Sequence, residues 1–575
     1  MEPAKKRRTS PVWEHFDLIS PNKVKCLLCS RELGYNNNTS SMLRHYRAIH
    51  EIKEGHGGGP AQGRPRPTRK QDLDEALVNL IGKDTQPFSV VEDVGFRAFV
   101  ALLDPNYVIP TRQAIKAMVD AKYVLERNKA IAEMQKVAAV SLTADMWTSI
   151  NMDAYLAVTC HFVEDNTRLN SVLLGVQQFP QTHTAENLAR VKASLMEEWG
   201  ITDKVTCLVT DGAANMISCG KQLKLRHAIC IAHTLNLIVK KSLDMTPALC
   251  DIRAKARKLV GYFRSSTLAK EKLVSVQRQL GRPTLKLLQE VETRWNSTYH
   301  MLQRLVDLRE PVGAALASLN TEITTLTSAE FTTISGCLSL LSGFNDATIE
   351  LSEEKNVSGS KVVPLLKMLE QMLQEEMART AVAVAKEMGE HLLRQLRERL
   401  HTLQSMSIMS LATLLDPRFK LIGFFSPLKA AEATKRLVTE CGALIRTPEA
   451  VQPQENPSTS QPEQETPGNK LWHKLDQTVK LSRKTKNATA DATVEVQRYL
   501  AEPNIGRLED PLNYWQTQKH VYPNLHKLAV TFLCTPASSV PCERVFSKAG
   551  EVVSKKRNRL SPKTVEKILF LNKNQ

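Results

Sequence analysis

The sequence predicts a multidomain α+β protein: a small metal-held module, long helical stretches and one mixed α/β sheet. Three observations predict it. Two cysteines and two histidines are gathered between residues 24 and 50, β-rich runs alternate with a helix between 137 and 211, and helical periodicity fills most of the remainder. At 575 residues the chain exceeds one ordinary domain, and its 42% hydrophobic content can build real cores.

The first element is "VKCLLCSRELGYNNNTSSMLRHYRAIH". Cys26 and Cys29 fit a knuckle between short strands, and His45 and His50 lie on a helix in which Met42, Leu43, Tyr46 and Ile49 recur at helical spacing. Ser40 or Ser41 is placed to cap that helix. Two thiolates and two imidazoles at this spacing are a tetrahedral zinc set. A segment this small cannot bury a sufficient core, so the metal and the aromatic pair Trp13 and Phe16 must hold it.

The formal net charge of +17 points to a polyanionic partner, most simply double-stranded DNA. The basic run Lys5, Lys6, Arg7 and Arg8 in a tail over residues 1–9 reads as a nuclear import signal, with a solvated tail as the plainer alternative. Eleven cysteines form no regular framework, no secretory leader opens the chain, and no apolar run nears the roughly 20 residues that span a bilayer. The expectation is therefore a nuclear protein in a reducing compartment, with no membrane and no small-molecule substrate. After the module (10–55), "HGGGPAQGRPRPTRKQ" (56–71) reads as a flexible basic linker.

Residues 72–136 read as helical, interrupted where Pro105 and Pro110 exclude a continuous helix. From 137 the pattern changes. "VAAVSLTAD" is an apolar strand up to Asp145; "AYLAVTCHFV" and "RLNSVLLGVQQF" make a hairpin across "EDNT"; "TAENLARVKASLMEEWG" is a helix; and "KVTCLVT" is a strand ending at Asp211. Two aspartates thus fall at or just past strand ends, where open α/β sheets place ligands. Paired carboxylates there can hold Mg2+ for phosphodiester chemistry, or can simply be turn residues.

The blocks "SLTADMWTS", "VTDGAANM", "CIAHTLNLIVKKSL", "VETRWNSTYHMLQRL", "LATLLDPRFK" and "ASSVPCERVFSKAGEVVSKKRNRLSPKTVEKILFLNKN" resemble successive blocks of hAT-superfamily transposases. The cysteine–histidine module, with its aromatic pair ahead of the cysteines, resembles the BED-type zinc finger. Together they identify the chain as similar to the ZBED family of hAT-derived proteins. The resemblance implies a ribonuclease-H-like domain begun in 137–240, a helical insertion over 241–446, a disordered Pro-rich linker over 447–470, and a C-terminal dimerisation region over 471–575 that completes the domain and joins two chains.

The resemblance also implies site residues. The finger binds DNA, with Asn36, Asn37, Asn38, Arg44 and Arg47 as candidate base or phosphate contacts. The Asp-Asp-Glu triad maps onto Asp145, Asp211 and Glu543, with Mg2+ required only if the triad is active; Glu543 can alternatively serve the positive end of a helix begun by Pro541. Cys230 and His233, extended by His227, read as scaffolding near Asp211, with a second zinc site as the alternative. Arg294 and Trp295 lie by the DNA end in transposases, or the tryptophan packs the insertion. Three functions compete: a dimeric DNA-binding regulator of transcription on a transposase scaffold, an active transposase, and a chromatin-associated interaction scaffold.

Overall fold

The computed structural model describes residues 11–35, 39–49, 68–165, 167–446, 487–554, 557 and 559–574, with Trp472, Lys474, Leu475 and Thr478 between. The basic tail, the body of the 56–71 linker and the Pro-rich 447–470 segment lie outside the described residues. The chain divides into two compact units, Met1–Arg69 and Lys70–Gln575.

In the first unit a 3-10 turn (Pro11–His15) leads into β1 (Phe16–Ser20), β2 (Lys23–Cys26) and β3 (Glu32–Gly34), followed by α1 (Ser40–Ile49). The strands form one antiparallel sheet in the order β1-β2-β3. The sequence shows no separate third strand because only three residues form it, with Leu33 opposite Val24. Leu43 N–H donates to the Thr39 carbonyl, so Thr39, not Ser40 or Ser41, stands at the helix boundary. Ser41 donates instead to the Gly34 carbonyl. The buried core is Val12, Phe16, Val24, Cys26 and Met42, too little apolar area to hold a fold unaided.

The second unit opens with α2 (Arg69–Lys83), α3 (Val94–Leu103) and α4 (Arg112–Lys136). Helix α2 takes in the last three residues expected in the linker. Five strands follow, interleaved with helices: β4 (Val140–Thr148), β5 (Ala154–Glu164), β6 (Arg168–Gln178), α5 (Ala185–Glu198), β7 (Val205–Thr210), α6 (Ala214–Gln222), β8 (Arg226–Ile229) and α7 (Ile231–Asp244). Their order is β6-β5-β4-β7-β8, with the β4–β5 and β5–β6 pairs antiparallel and the β4–β7 and β7–β8 pairs parallel. This is the mixed sheet that the alternation of strands and helix predicts.

Insertion helices are α8 (Pro247–Ser265), α9 (Thr267–Gln279), α10 (Trp295–Asp307), α11 (Arg309–Ala317), α12 (Ser328–Leu351), α13 (Val362–Arg379), α14 (Ala383–Ser405), α15 (Ser407–Leu415) and α16 (Pro427–Arg446). The chain ends in α17 (Ala488–Ala501), α18 (Pro511–Gln518), α19 (Pro523–Leu533), α20 (Val540–Val552) and α21 (Pro562–Asn574).

The sheet is covered on both faces, and the two-residue period of β7 sorts the cores. Cys207 and Val209 point into a core shared with α7, the later insertion helices and α17 to α19. Leu208 points the other way, into a core shared with α4, α5, α20 and α21. Trp515, Tyr522, Leu525, Leu528, Ala529 and Phe532 are buried within this one chain, as are Val545, Phe546, Ala549, Val552 and Val553, while Tyr514 is half-buried. The region expected both to complete the domain and to join chains thus places these side chains in the chain's own cores.

Candidate functional site

The metal-ligand candidates of the finger are assembled by its turn. Cys26 N–H donates to the Arg31 carbonyl, and Ser30 N–H donates to the Cys26 carbonyl, with Ser30 at φ 59°. This reversal carries Cys29 back toward α1, where Cys29 Sγ lies 3.2 Å from His45 Nε2. Sulfur and nitrogen ligands on one tetrahedral zinc ion stand roughly 3.5 Å apart, given Zn–S and Zn–N bonds of about 2.3 and 2.0 Å. Among the described residues, Cys26, Cys29 and His45 are the one group of three whose ligand atoms lie within 4.8 Å of one another. Two thiolates and an imidazole fit zinc. His50, the fourth candidate, lies outside the described residues, as do Asn36, Asn37 and Asn38.

Arg44 is exposed on α1, and Arg47 lies on the same helix. The ring of Phe16 stands edge-on to His45, with centroids 5.8 Å apart. His15, which the sequence reading passed over, stacks on Tyr46 at 4.4 Å with ring planes 8° apart. Its place one residue before Phe16 carries no periodic signal, so only the fold reveals it.

In the second unit the acids converge from three distant segments. Asp145 lies within β4, three residues before its end, because pairing with β5 carries the strand on to Thr148. The sequence places it at the strand end because the apolar run stops there. Parallel pairing aligns Thr143 with Val209, and continuing that register by two residues sets Asp145 beside Asp211. Asp211 follows β7 and accepts from Ala213 N–H at 3.0 Å. Gly212 turns the chain at φ 86°, and a Cβ there would stand 2.9 Å from Ile229 Cγ2. Glu543 comes from the first turn of α20, where Pro541 occupies the opening positions.

Burial pushes the Asp145 carboxyl up to about 7; the Met146 N–H bond at 2.8 Å opposes this, and the charges of Asp211 and Glu543 add to it. Both charges therefore act on Asp145 from other segments of the chain. The three carboxylates nonetheless fall outside the 4.8 Å grouping that the finger ligands meet.

The flanking motifs divide their work. Cys230 is fully buried at the N-terminus of α7; its Sγ accepts from His233 N–H at 3.4 Å and from Ser539 N–H at 3.3 Å. Its own N–H donates to the Thr210 carbonyl at 2.6 Å, and Ile231 N–H donates to the Ala537 carbonyl at 3.0 Å. These bonds tie the end of β7, the start of α7 and the approach to Glu543 into one knot. Burial raises the Cys230 thiol, and His227 pairs with the Thr210 hydroxyl at 2.9 Å. His227, Cys230 and His233 do not gather as a metal set.

Arg294 is exposed and reaches Glu543, Nη2 to Oε2, at 3.9 Å, whereas Trp295 is buried among insertion helices. Asn236 positions this pair: it accepts from Trp295 N–H at 3.0 Å and donates to the Thr293 carbonyl. The sequence reading missed Asn236, although it stands one turn after His233 and so shares its face of α7. Lys192 was missed too. It is buried with Nζ 3.5 Å from Cys219 Sγ, and its place among Leu188, Ala189, Leu195 and Met196 marks it as core-facing.

Comparison with known families matches four stretches of the chain. Residues 10–51 match the BED zinc finger, 143–237 the ZBED1 RNase-like domain, 228–339 the ZBED1 RNase-like helical domain, and 495–575 the hAT family C-terminal dimerisation region. The chain carries a BED zinc finger together with ZBED1 RNase-like and hAT dimerisation domains. Zinc finger BED domain-containing protein 4 of Homo sapiens is 27% identical over 100% of this chain and 52% of its own length, so the chain spans about half of that relative. A Talaromyces stipitatus protein provisionally named transcriptional regulator tpeD is 25% identical over 98% of this chain and 71% of its own length. A Zea mays protein provisionally named AC transposase is 25% identical over 98% of this chain and 76% of its own length. The BED finger and the Cys26–Cys29–His45 cluster support zinc binding, and the whole set supports a DNA-binding protein of hAT descent with a dimerisation region. Among the described residues no helix is long and apolar enough to cross a membrane.

Proposed function

We propose that this chain is a nuclear, dimeric regulator of transcription that reads double-stranded DNA through its BED finger. The observation that carries the proposal is the finger's ligand geometry: Cys26, Cys29 and His45 converge on a zinc-sized space, and the helix that supplies His45 also presents Arg44. In this reading His50 completes the zinc set, and Asn36, Asn37, Asn38, Arg44 and Arg47 contact bases or phosphates. The C-terminal region joins two chains, which doubles the DNA contacts, and the name of the Talaromyces relative agrees with regulation. In vitro site selection with the intact chain tests the proposal. An enriched motif that Cys26→Ser fails to bind is the expected result, and unchanged binding by Cys26→Ser removes the finger from the mechanism.

A second reading rests on the convergence of Asp145, Asp211 and Glu543. Bound Mg2+ would activate a hydroxyl and stabilise the leaving oxygen of a phosphodiester. The acids would hold the metal, and Arg294 beside Glu543 would bring positive charge to the DNA end. Metal-dependent DNA strand transfer that Asp145→Ala abolishes would establish this reading over the first.

A further inference from the structure

Helix α3 (Val94–Leu103), "VGFRAFVALL", has no buried residue although nine of its ten positions are uncharged. Val94 is 84% exposed, Leu102 85% and, just beyond the helix, Val108 75%, and Phe99 and Leu103 are also more than half exposed. The helix leans on the 3-10 turn Phe88–Glu92, where Phe96 is partly buried and Arg97 donates to the Val91 carbonyl at 3.3 Å. A helix apolar around its circumference is ordinarily embedded in a core. Here a single side is covered.

Taking roughly 150–200 Å² for a fully exposed apolar side chain of this size, the five exposed residues present about 600 Å². That equals the upper end of the largest apolar patch on a typical monomer. Doubled by a two-fold axis, it gives about 1,200 Å², the lower limit of specific stable interfaces. Charge argues in the same direction. Arg97, the sole charge on the helix, is exposed but donates to the Val91 carbonyl of its own chain, and Val94, Phe99, Leu102 and Leu103 are uncharged.

The helix is joined in sequence to an element that packs on the matched C-terminal region. After α3 the chain enters α4, which packs on α21 within the matched 495–575 region: Lys567 Nζ pairs with Asp120 at 2.8 Å, and the Tyr123 and Phe570 rings meet edge-on at 5.0 Å. We infer that α3 is a self-association face which a second copy of this chain covers, extending the dimer contact to residues before the matched C-terminal region. The inference adds to the dimer of the proposed regulator and stands or falls without its DNA binding.

Sedimentation velocity of the full chain across about 0.1–50 µM tests it, comparing the parent with Phe99→Glu/Leu102→Glu. Both side chains are exposed, so the far-UV circular dichroism and thermal transition of the variant should match the parent's. The expected result is a concentration-dependent dimer whose dissociation constant rises at least tenfold in the variant, with amides 94–108 protected from hydrogen exchange only at dimer concentrations. A dimer equally tight in the variant places self-association elsewhere and overturns the inference. So does protection of 94–108 in a monomer, which would show that another segment of the same chain covers the helix. A parent that stays monomeric throughout, with α3 covered only on addition of a different protein, overturns it as well.

Discussion

Arg294 Nη2 lies 3.9 Å from Glu543 Oε2, so a residue at the mouth of the helical insertion meets a residue of the C-terminal region beside Asp145 and Asp211. Both side chains are substantially exposed, and an ion pair in that setting contributes at most about 1 kcal/mol. Arg294→Ala should therefore leave the urea midpoint of the full chain nearly unchanged. A large loss of stability would mean that the pair is a structural lock rather than an exposed ion pair.

Trp295, the next residue, should behave in the opposite way. It is buried among α7, α10 and α12, its backbone N–H is held by Asn236, and its ring meets Tyr299 edge-on at 6.2 Å. Trp295→Ala opens a cavity and should cost about 3–5 kcal/mol. Equilibrium denaturation measures it; a cost below about 1 kcal/mol would show that the indole is not packed as described.

Zinc removal should separate the two units. Among the described residues the first unit buries five apolar side chains, so its folding should depend on the metal, whereas the second has three much larger cores. Chelation should expose amides 16–49 to rapid hydrogen exchange and leave the sheet amides of β4, β5 and β7 protected. Protection of the finger that persists after complete zinc loss would contradict this account.

Glu354 makes stability depend on acid pH. Burial alone would raise its carboxyl, but Lys573, together with the Ser171 hydroxyl at 2.7 Å, holds it at about 2 against an ordinary value of 4.5. Because the folded value is depressed, the contribution is present above pH 4.5 and is lost as pH falls toward 2. Arg544 also reaches this carboxylate at 3.1 Å, so the insertion, β6, α20 and α21 meet on one charge. Lys573→Met should lower the thermal midpoint at pH 7 and shrink the difference between parent and variant as pH falls through that window. A difference that grows toward low pH would reverse the assigned sign.

Glu566 on α21 has the opposite sign. Burial, with the charge of Glu198 adding to it, pushes its carboxyl up to about 7. Folding therefore favours the protonated form, and the stability it allows at pH 4.5 is lost as pH rises through 7. Glu566→Gln should stabilise the chain at pH 8 by about 1–2 kcal/mol after allowance for partial exposure, and by little at pH 4.5. Thermal midpoints at the two pH values check it.

The sequence carried the elements better than their partners. Thr184 ahead of "AENLARVKASLMEE" is a helix boundary that can be read directly, and its hydroxyl does accept from Asn187 N–H. The β5–β6 hairpin is equally legible, because its alternation and turn are local. Strand β3 is three residues long and exists only through pairing with β2, so it carries no period of its own. Leu528 and Phe532 look the same in sequence whether a second chain or α15 covers them, and the fold assigns them to the chain's own core. The reverse holds at α3, whose apolar sequence reads as core and whose residues the fold leaves outside.

By itself, then, the sequence determined the chemical inventory: zinc ligand types at finger spacing, three acids in ordered motifs, and one mixed sheet among helices. Those are properties of residue type and near-neighbour spacing, which local physics reads. Tertiary structure alone decided which groups meet. The β4–β7 pairing ends two residues before both Asp145 and Asp211, and Cys230 bridges to Ser539 across 309 positions, four residues before Glu543. Contacts at such separation depend on the packing of whole layers, and no local pattern encodes them.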